Sequence, residues 1–293
     1  MKKIFSKLFQ KKNLLPALIV LFSAVFLVSC GFLADYIIES VQQKKQYDKL
    51  SQMVEQVQQN QQDSNNNSNG SSDYVGEYGP EITPGQNRQE YTSVFDPKTG
   101  KTLTLLTDYA GVYELNSDVV GWIRINDTKI NYPVLQTPEW VNYYLKRDFN
   151  GQYSKHGAIY ANESADVFLP SDNVTIYGHR MKDGSMFAAL HDYKDKAFYD
   201  EHPYINFDTI YERHTYKIIS VFITTATVES GFAYHEFVEG DPFTFPAYVE
   251  KCKELSLYDT GETAVYGDKL ITLSTCEHDI EEGRLVVVAK QIT

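Results

Sequence analysis

The sequence predicts a mainly β fold: an eight-stranded, closed or nearly closed β-barrel with a few short helices, preceded by an N-terminal transmembrane helix and a polar stalk. Three observations support this prediction. Tyr and Phe are abundant, with 22 and 16 copies among 293 residues, and aromatic residues favour strands. Short β-branched runs recur from about residue 94 onward. Many short strands interrupted by few helices are typical of closed barrels.

Eight segments carry the strand pattern. The clearest is "VGWIRIN" (120–126), which alternates and leads across "DT" into "KINYPVL" (129–135), so the pair is predicted to form a hairpin. Pro133 indicates an edge position or strand end, because proline has no N–H to donate. The other predicted strands are 157–161, 173–178, 204–210, 215–228, 269–275 and 284–292. Helical pieces are predicted around 108–115, 139–145, 185–193 and 243–257.

The N-terminus predicts a membrane anchor. Residues 14–34 are apolar, and about 20 such residues cross a bilayer. Five lysines precede them, so the N-terminus is expected in the cytoplasm and the body outside, in a single-pass protein of the cell membrane. Two alternatives remain open. One is a cleaved signal peptide, and the other is lipidation of Cys30, since "LVSC" (27–30) resembles a bacterial lipoprotein box.

Composition divides the chain into five predicted parts. The segment 35–59 has a loosely helical apolar spacing and much Gln, which indicates a polar helical stalk. The next segment is rich in Asn, Ser and Gly and cannot bury enough surface to fold. The parts are a basic tail (1–13), a transmembrane signal anchor (14–34), the stalk (35–59), a flexible linker (60–93) and a catalytic domain (94–293).

Charge and cysteine content exclude several classes of protein. The net charge is −12 although the first residues are basic, so the body is a poor ligand for nucleic acid, which binds Lys and Arg. Only three cysteines are present. A single Cys252–Cys276 disulfide is an open but minor alternative, because a domain of this size can be stable through its hydrophobic core without a disulfide. The seven histidines show no metal-binding spacing, and we predict no metal and no cofactor.

Three residues have side chains that could take part in catalysis. Cys276 ends a predicted strand, and Arg284 opens the next one, so the two would be close if the strands form a hairpin. A neighbouring cation favours a thiolate. His179 also follows a predicted strand, and a histidine can accept and return a proton near neutral pH. Taken singly, each residue has an ordinary structural explanation, and spacing alone does not bring them together.

Several motifs nevertheless resemble one family. "TLSTCE" followed by "GRLVVVAK" looks like the signature of sortases, which carry TLxTC on one barrel strand and Arg on the next. "IYGHRMKDGSMFAAL", "VGWIRINDTKINYPVLQ" and "YYLKRDFNGQYSKHGAIY" are similar to class B members. The resemblance covers about residues 108–292, and it implies a sortase-type barrel.

The resemblance implies a cysteine transpeptidase of a Gram-positive cell surface. Such an enzyme cuts a sorting motif of the LPXTG or NPXTN type in secreted proteins and passes them to an amine of a peptidoglycan precursor or a pilin. By resemblance, Cys276 is the nucleophile that forms a thioester, His179 the proton carrier and Arg284 the oxyanion partner. Sorting-peptide contacts are expected at Ser274, Glu277 and Leu145.

Two other functions remain open at this stage. The first is a cysteine hydrolase on the same barrel, in which water resolves the thioester. The second is a surface lipoprotein that only binds, with Cys276 as a small structural residue, since free cysteines are commonly buried.

Overall fold

The structure, a computed structural model, describes residues 11–65, 90–225 and 231–293. The basic tail up to residue 10, residues 66–89 of the predicted linker and the end of the predicted strand 215–228 lie outside this range. The chain divides into two compact units, and the boundary between them in the sequence falls between Lys45 and Gln46.

One long helix, α1 (Lys11–Asn65), runs through the predicted anchor and stalk and into the predicted linker. Between Leu18 and Val41 its apolar side chains are largely exposed. By length and composition this stretch can cross a membrane, and it is therefore a candidate membrane anchor.

The second unit is built mainly of strands. They are β1 (Tyr91–Asp96), β2 (Lys101–Leu106), β3 (Val119–Arg124), β4 (Asn131–Leu135), β5 (Tyr160–Ala161), β6 (Asn173–Tyr177), β7 (Tyr204–Thr209), β8 (Thr215–Thr225), β9 (Leu270–Glu277) and β10 (Gly283–Gln291). The α-helices are α2 (Thr107–Leu115), α3 (Lys196–Glu201) and α4 (Thr244–Leu255), and 3₁₀ helices cover Tyr143–Lys146, Ala188–Lys194 and Tyr234–Glu236.

Eight of the described strands close into a barrel in the order β10-β8-β7-β3-β4-β5-β6-β9. They are the eight strands that the sequence predicts, so the fold class is confirmed. The hairpin β1-β2 stands apart as a two-stranded sheet. The sequence analysis missed it, and β1 begins at Tyr91, inside the predicted linker.

The predicted hairpin at the start of the barrel is present. β3 and β4 pair antiparallel, with Trp122 opposite Pro133. β5 meets β4 farther along, at Leu135 opposite Tyr160. The edge of β4 at Pro133 therefore needs no N–H donor, which explains why proline is tolerated in this strand.

The two faces of β9 pack into different layers. Ile271 and Leu273 belong to the large core cluster inside the barrel. Alternate residues point to the other face, where Thr272 lies within 3.3 Å of the Tyr248 hydroxyl on α4. α4 also contributes Phe245 and Cys252 to a second core cluster. The helix predicted around 243–257 is thus confirmed, and it covers the outer face of the strand that carries Cys276.

The C-terminal part of α1 packs on the barrel. Tyr47, Leu50 and Val54 lie at helical spacing and are buried in the main core. The Tyr47 ring meets the ring of Tyr132 on β4 edge-on, at 5.1 Å between centroids. Gln58 Nε2 donates to Asp108 Oδ2 at 2.8 Å. This part of the predicted stalk is therefore integral to the folded domain.

We expect Leu50→Ala to lower the free energy of unfolding by about 2–5 kcal/mol, the usual cost of a cavity left by a deleted leucine side chain. Denaturant unfolding of the detergent-solubilised full chain, followed by tryptophan fluorescence, measures the change. Gln56→Ala, at an exposed position of the same helix, is the matched control. Equal stabilities of the two variants would show that α1 does not support the domain.

Candidate active site

The pairing of β6 with β9 sets the geometry of the site. The two strands run parallel, with Tyr177 opposite Ser274. His179 and Cys276 each follow two residues later, so both lie at the same rim of the barrel, His179 just after β6 and Cys276 near the end of β9. The structure therefore brings together the two residues that sequence spacing could not connect.

Arg284 lies directly opposite Cys276 in the antiparallel pair of β9 and β10. The Ser274 carbonyl accepts from Gly178 N at 3.1 Å, so the main-chain groups of Ser274 and Cys276 face β6. Cys276 and Arg284 thus form a non-hydrogen-bonded pair, the kind with Cα atoms about 4.5 Å apart and close side chains. The guanidinium donates to the carbonyls of Glu282 and Gly283, at 3.2 and 2.9 Å.

The His179 imidazole is held by the segment before β5. Its Nε2 lies 2.7 Å from the Leu145 carbonyl oxygen, to which it donates. Burial lowers the pKa of His179, and the positive charges of Arg284 and Lys146 lower it further, against the opposing effect of the Leu145 carbonyl. The imidazole is therefore neutral at neutral pH, the form that can accept a proton.

A glycine makes room for this arrangement. Gly157 has a φ of +60°, and a Cβ on it would lie 2.6 Å from the Leu145 carbonyl oxygen and 3.0 Å from His179 Cδ2. A side chain here would push apart the two groups that the imidazole hydrogen bond joins. Gly157 thus serves both the positive φ and the close approach of His179.

The cysteines have contrasting environments. All three are free thiols, so the minor Cys252–Cys276 disulfide alternative is wrong. Cys276 is partly exposed, whereas Cys252 is fully buried. Burial raises the pKa of the Cys252 thiol to about 12, which leaves it protonated and unreactive.

Tyrosines wall the rim beside Cys276 and Arg284. The rings of Tyr160 and Tyr177 are 5.2 Å apart between centroids. The Tyr234 hydroxyl lies 2.6 Å from Ser274 Oγ. Burial raises the pKa of all three tyrosines, so each presents a neutral hydroxyl on an apolar ring. Tyr160 and Tyr234 are 5% and 2% exposed, so they support the rim from within rather than lining its surface.

The three expected peptide contacts differ in accessibility. Leu145 is 37% exposed, so a bound peptide can reach it. Ser274 and Glu277 are buried, at 2% and 1% exposure. The Glu277 carboxylate is ion-paired with Lys194 and lies 3.5 Å from Arg180 Nη1.

Sequence reasoning missed the basic groups behind the rim. His191 Nε2 lies 3.0 Å from the carbonyl oxygen of Cys276, and Lys194 contacts Glu277. Both belong to the 3₁₀ helix Ala188–Lys194, near the helix predicted at 185–193. Their spacing of three residues on a predicted helix is the signal that could have paired them.

Comparison with known proteins identifies the family. The family profile described as the sortase domain matches residues 123–292, more than half of the chain. A sortase B of Listeria monocytogenes is 38% identical over 183 residues, which are 61% of this chain and 72% of that protein. The chain belongs to the sortase family, class B. The sortase barrel predicted from the motifs is thereby confirmed.

Solved structures agree with this assignment. A Staphylococcus aureus sortase B–substrate complex superposes with a TM-score of 0.67 and 25% identity, covering 87% of this sortase and 99% of that chain. A sortase B complexed with triglycine gives a TM-score of 0.65 at 25% identity, with coverage of 87% and 99%.

We expect Gly157→Ala to reduce turnover of a sorting peptide at least tenfold, because the new Cβ displaces Leu145 or the His179 ring. Steady-state peptide cleavage measures the effect. Gly261→Ala is the control, since Gly261 also has a positive φ, +73°, but has nothing within 4 Å of a new Cβ. The control separates backbone strain, about 1 kcal/mol, from the clash. Equal activities of the two variants would contradict the expectation.

Proposed function

We propose that this sortase cleaves a C-terminal sorting motif of the LPXTG or NPXTN type in secreted proteins and transfers the product to an amine. The observation that carries the proposal is the convergence of His179, Cys276 and Arg284 at one rim. A nucleophile needs a base to take its proton, and the resulting oxyanion needs a donor. These three side chains supply the three functions.

In the first half-reaction, the Cys276 sulfur attacks the threonine carbonyl carbon of the motif. The neutral His179 imidazole takes the thiol proton. As the tetrahedral intermediate collapses, the C–N bond of the peptide breaks and His179 returns that proton to the departing amine. The product is a thioester on Cys276, and the released fragment carries a new amino terminus.

In the second half-reaction, an incoming amine attacks the thioester carbonyl. His179 accepts the proton that the amine loses and passes it to the leaving Cys276 sulfur, which restores the free enzyme. Both tetrahedral intermediates carry an oxyanion, and Arg284 is the permanently charged donor beside it. The guanidinium must exchange a hydrogen bond with the Glu282 or Gly283 carbonyl for one with the oxyanion.

Ser274, Glu277 and Leu145 are proposed to serve the bound peptide. Leu145 offers it an exposed apolar contact. Ser274 and Glu277 act from beneath: Ser274 through the Tyr234 hydroxyl, and Glu277 through the basic side chains that it holds. The related sortase B complexes with a substrate and with triglycine support a peptide donor and an amine acceptor. The proposed acceptor is a peptidoglycan precursor or a pilin.

The proposed location is the outer face of the cell membrane. The apolar part of α1 is the candidate anchor, and the lysines before it favour a cytoplasmic N-terminus. Cys30 lies exposed on this helix as a free thiol. An uncleaved helix needs no lipid on Cys30, and we propose that anchor over the lipoprotein and the cleaved signal peptide.

Thiol labelling tests whether Cys276 is the accessible thiol of the domain. We expect iodoacetamide at neutral pH to modify Cys276 in the folded full chain and to leave Cys252 unmodified, because Cys252 is buried with a raised pKa. Peptide mass spectrometry locates the label. Modification of Cys252 alone would refute the assignment of the nucleophile and favour a structural role for Cys276.

An acceptor assay separates transfer from hydrolysis. Full-length enzyme is incubated with LPXTG and NPXTN peptides, with and without triglycine, and the product masses are determined by mass spectrometry. We expect an acyl-enzyme on Cys276 and a product extended by the amine. Cys276→Ala should abolish both, and Cys252→Ala is the matched control that keeps them. Cleavage that never incorporates the amine would identify a hydrolase instead.

A further inference from the structure

The 3₁₀ helix Ala188–Lys194 lies against the end of β9. A 3₁₀ helix has three residues per turn, so side chains three apart are aligned. His191 and Lys194 therefore share one face. Together they hold two consecutive residues of β9: His191 contacts the main chain of Cys276, and Lys194 contacts the side chain of Glu277.

His191 occupies a position that the parallel sheet leaves open. Gly178 N donates to the Ser274 carbonyl at 3.1 Å, and the next donor of a continued ladder would be Arg180 N, facing the carbonyl of Cys276. β6 ends at Tyr177, however, and the chain turns so that Phe187 N donates to the His179 carbonyl at 2.9 Å. His191 Nε2 lies 3.0 Å from the Cys276 carbonyl oxygen instead.

The substitution of a side chain for a backbone donor has a structural consequence. It lets the chain that carries His179 separate from the strand that carries Cys276, while the carbonyl of Cys276 keeps a hydrogen-bond partner. A buried carbonyl without one would destabilise the folded state.

The hydrogen bond defines the tautomer of His191. Burial lowers its pKa, although the Cys276 carbonyl and the Glu277 carboxylate oppose the shift. The neutral ring must carry its proton on Nε2 to donate to a carbonyl. Its Nδ1 lies 3.7 Å from Glu277 Oε2.

Glu277 is the residue of β9 that Lys194 binds. Its side chain is 1% exposed, and a buried carboxylate must be paired. Burial alone would raise its pKa, but the hydrogen bonds from Lys194 and from the Asp279 N–H hold it below its usual value. Lys194 thus binds the residue after Cys276 as His191 binds Cys276 itself.

We propose that His191 and Lys194 form a positioning clamp that fixes the end of β9 and thereby aims the Cys276 sulfur at the substrate carbonyl. The proposal rests on the proposed function in taking Cys276 as the nucleophile. Neither clamp residue touches the reacting atoms. Their loss is expected to slow chemistry rather than to weaken peptide binding, since a misplacement of about 1 Å costs about 100-fold in rate.

The kinetic test uses the full-length enzyme with a cleaved sorting peptide. We expect His191→Ala to lower kcat about 10- to 100-fold, with KM changed less than about twofold. His191→Gln keeps a side-chain N–H and should recover much of kcat. Lys194→Gln should lower kcat, whereas Lys196→Gln should not, because Lys196 is ion-paired on the surface with Asp200. Equal kcat values for wild type and His191→Ala, or a rise in KM alone, would overturn the clamp.

A second measurement needs no turnover. Hydrogen–deuterium exchange in the peptide that spans the end of β9 should accelerate in His191→Ala and Lys194→Gln but not in Lys196→Gln. Unchanged exchange in both clamp variants would overturn the proposal even if their activity falls. Accelerated exchange in an enzyme that never forms a thioester would support the clamp and refute the proposed function. If His191→Ala fails to fold, His191→Gln and Lys194→Gln decide both tests.

Discussion

The parallel pairing of β6 with β9 is the constraint on which the site depends. It joins segments from the middle and the end of the chain in a fixed register, with Tyr177 opposite Ser274. Because parallel strands run out at the same edge of a sheet, a residue two positions past each of these partners must appear at a common rim. β10 then adds Arg284 on the other side of Cys276. The register of β9 against its two neighbours thus places His179, Cys276 and Arg284 at one rim.

The rest of the barrel holds this register. Ile271 and Leu273 of β9 are buried inside, and α4 seals the outer face through Tyr248. A shift by one residue would exchange the two faces and place polar Thr272 in the barrel interior. The apolar and polar alternation of β9 therefore specifies the placement of Cys276 as well as the fold.

The sequence was most informative where a pattern is local. Short apolar and β-branched runs located all eight barrel strands, and family motifs located His179, Cys276 and Arg284. It failed where structure depends on distant partners. The β1-β2 hairpin is a different case, because its two strands are adjacent in the chain; it was missed because "YTSVFD" follows a polar stretch and its start was assigned to the linker. Helical spacing showed that Leu50 and Val54 form a stripe, but not that the stripe packs on the barrel.

The same limit applies to the site. The role of His191 arises because β6 stops one rung before β9 does, and a strand end cannot be located that closely from sequence. The burial of Glu277 follows from Lys194 and Arg180, which approach from separate segments. The resemblance pointed to Glu277 as a peptide contact, but only the three-dimensional structure shows that its side chain is buried against basic groups.

The place of β9 and β10 in the chain has a consequence for biosynthesis. They follow all the other described strands, and β9 closes the barrel by joining β6, which is made much earlier. A ribosome must therefore have made β9 and β10 before the side chains of Cys276 and Arg284 can take their places beside β6. A nascent chain without β9 and β10 has neither Cys276 nor Arg284 at the rim that carries His179, so the proposed reaction cannot begin at that stage.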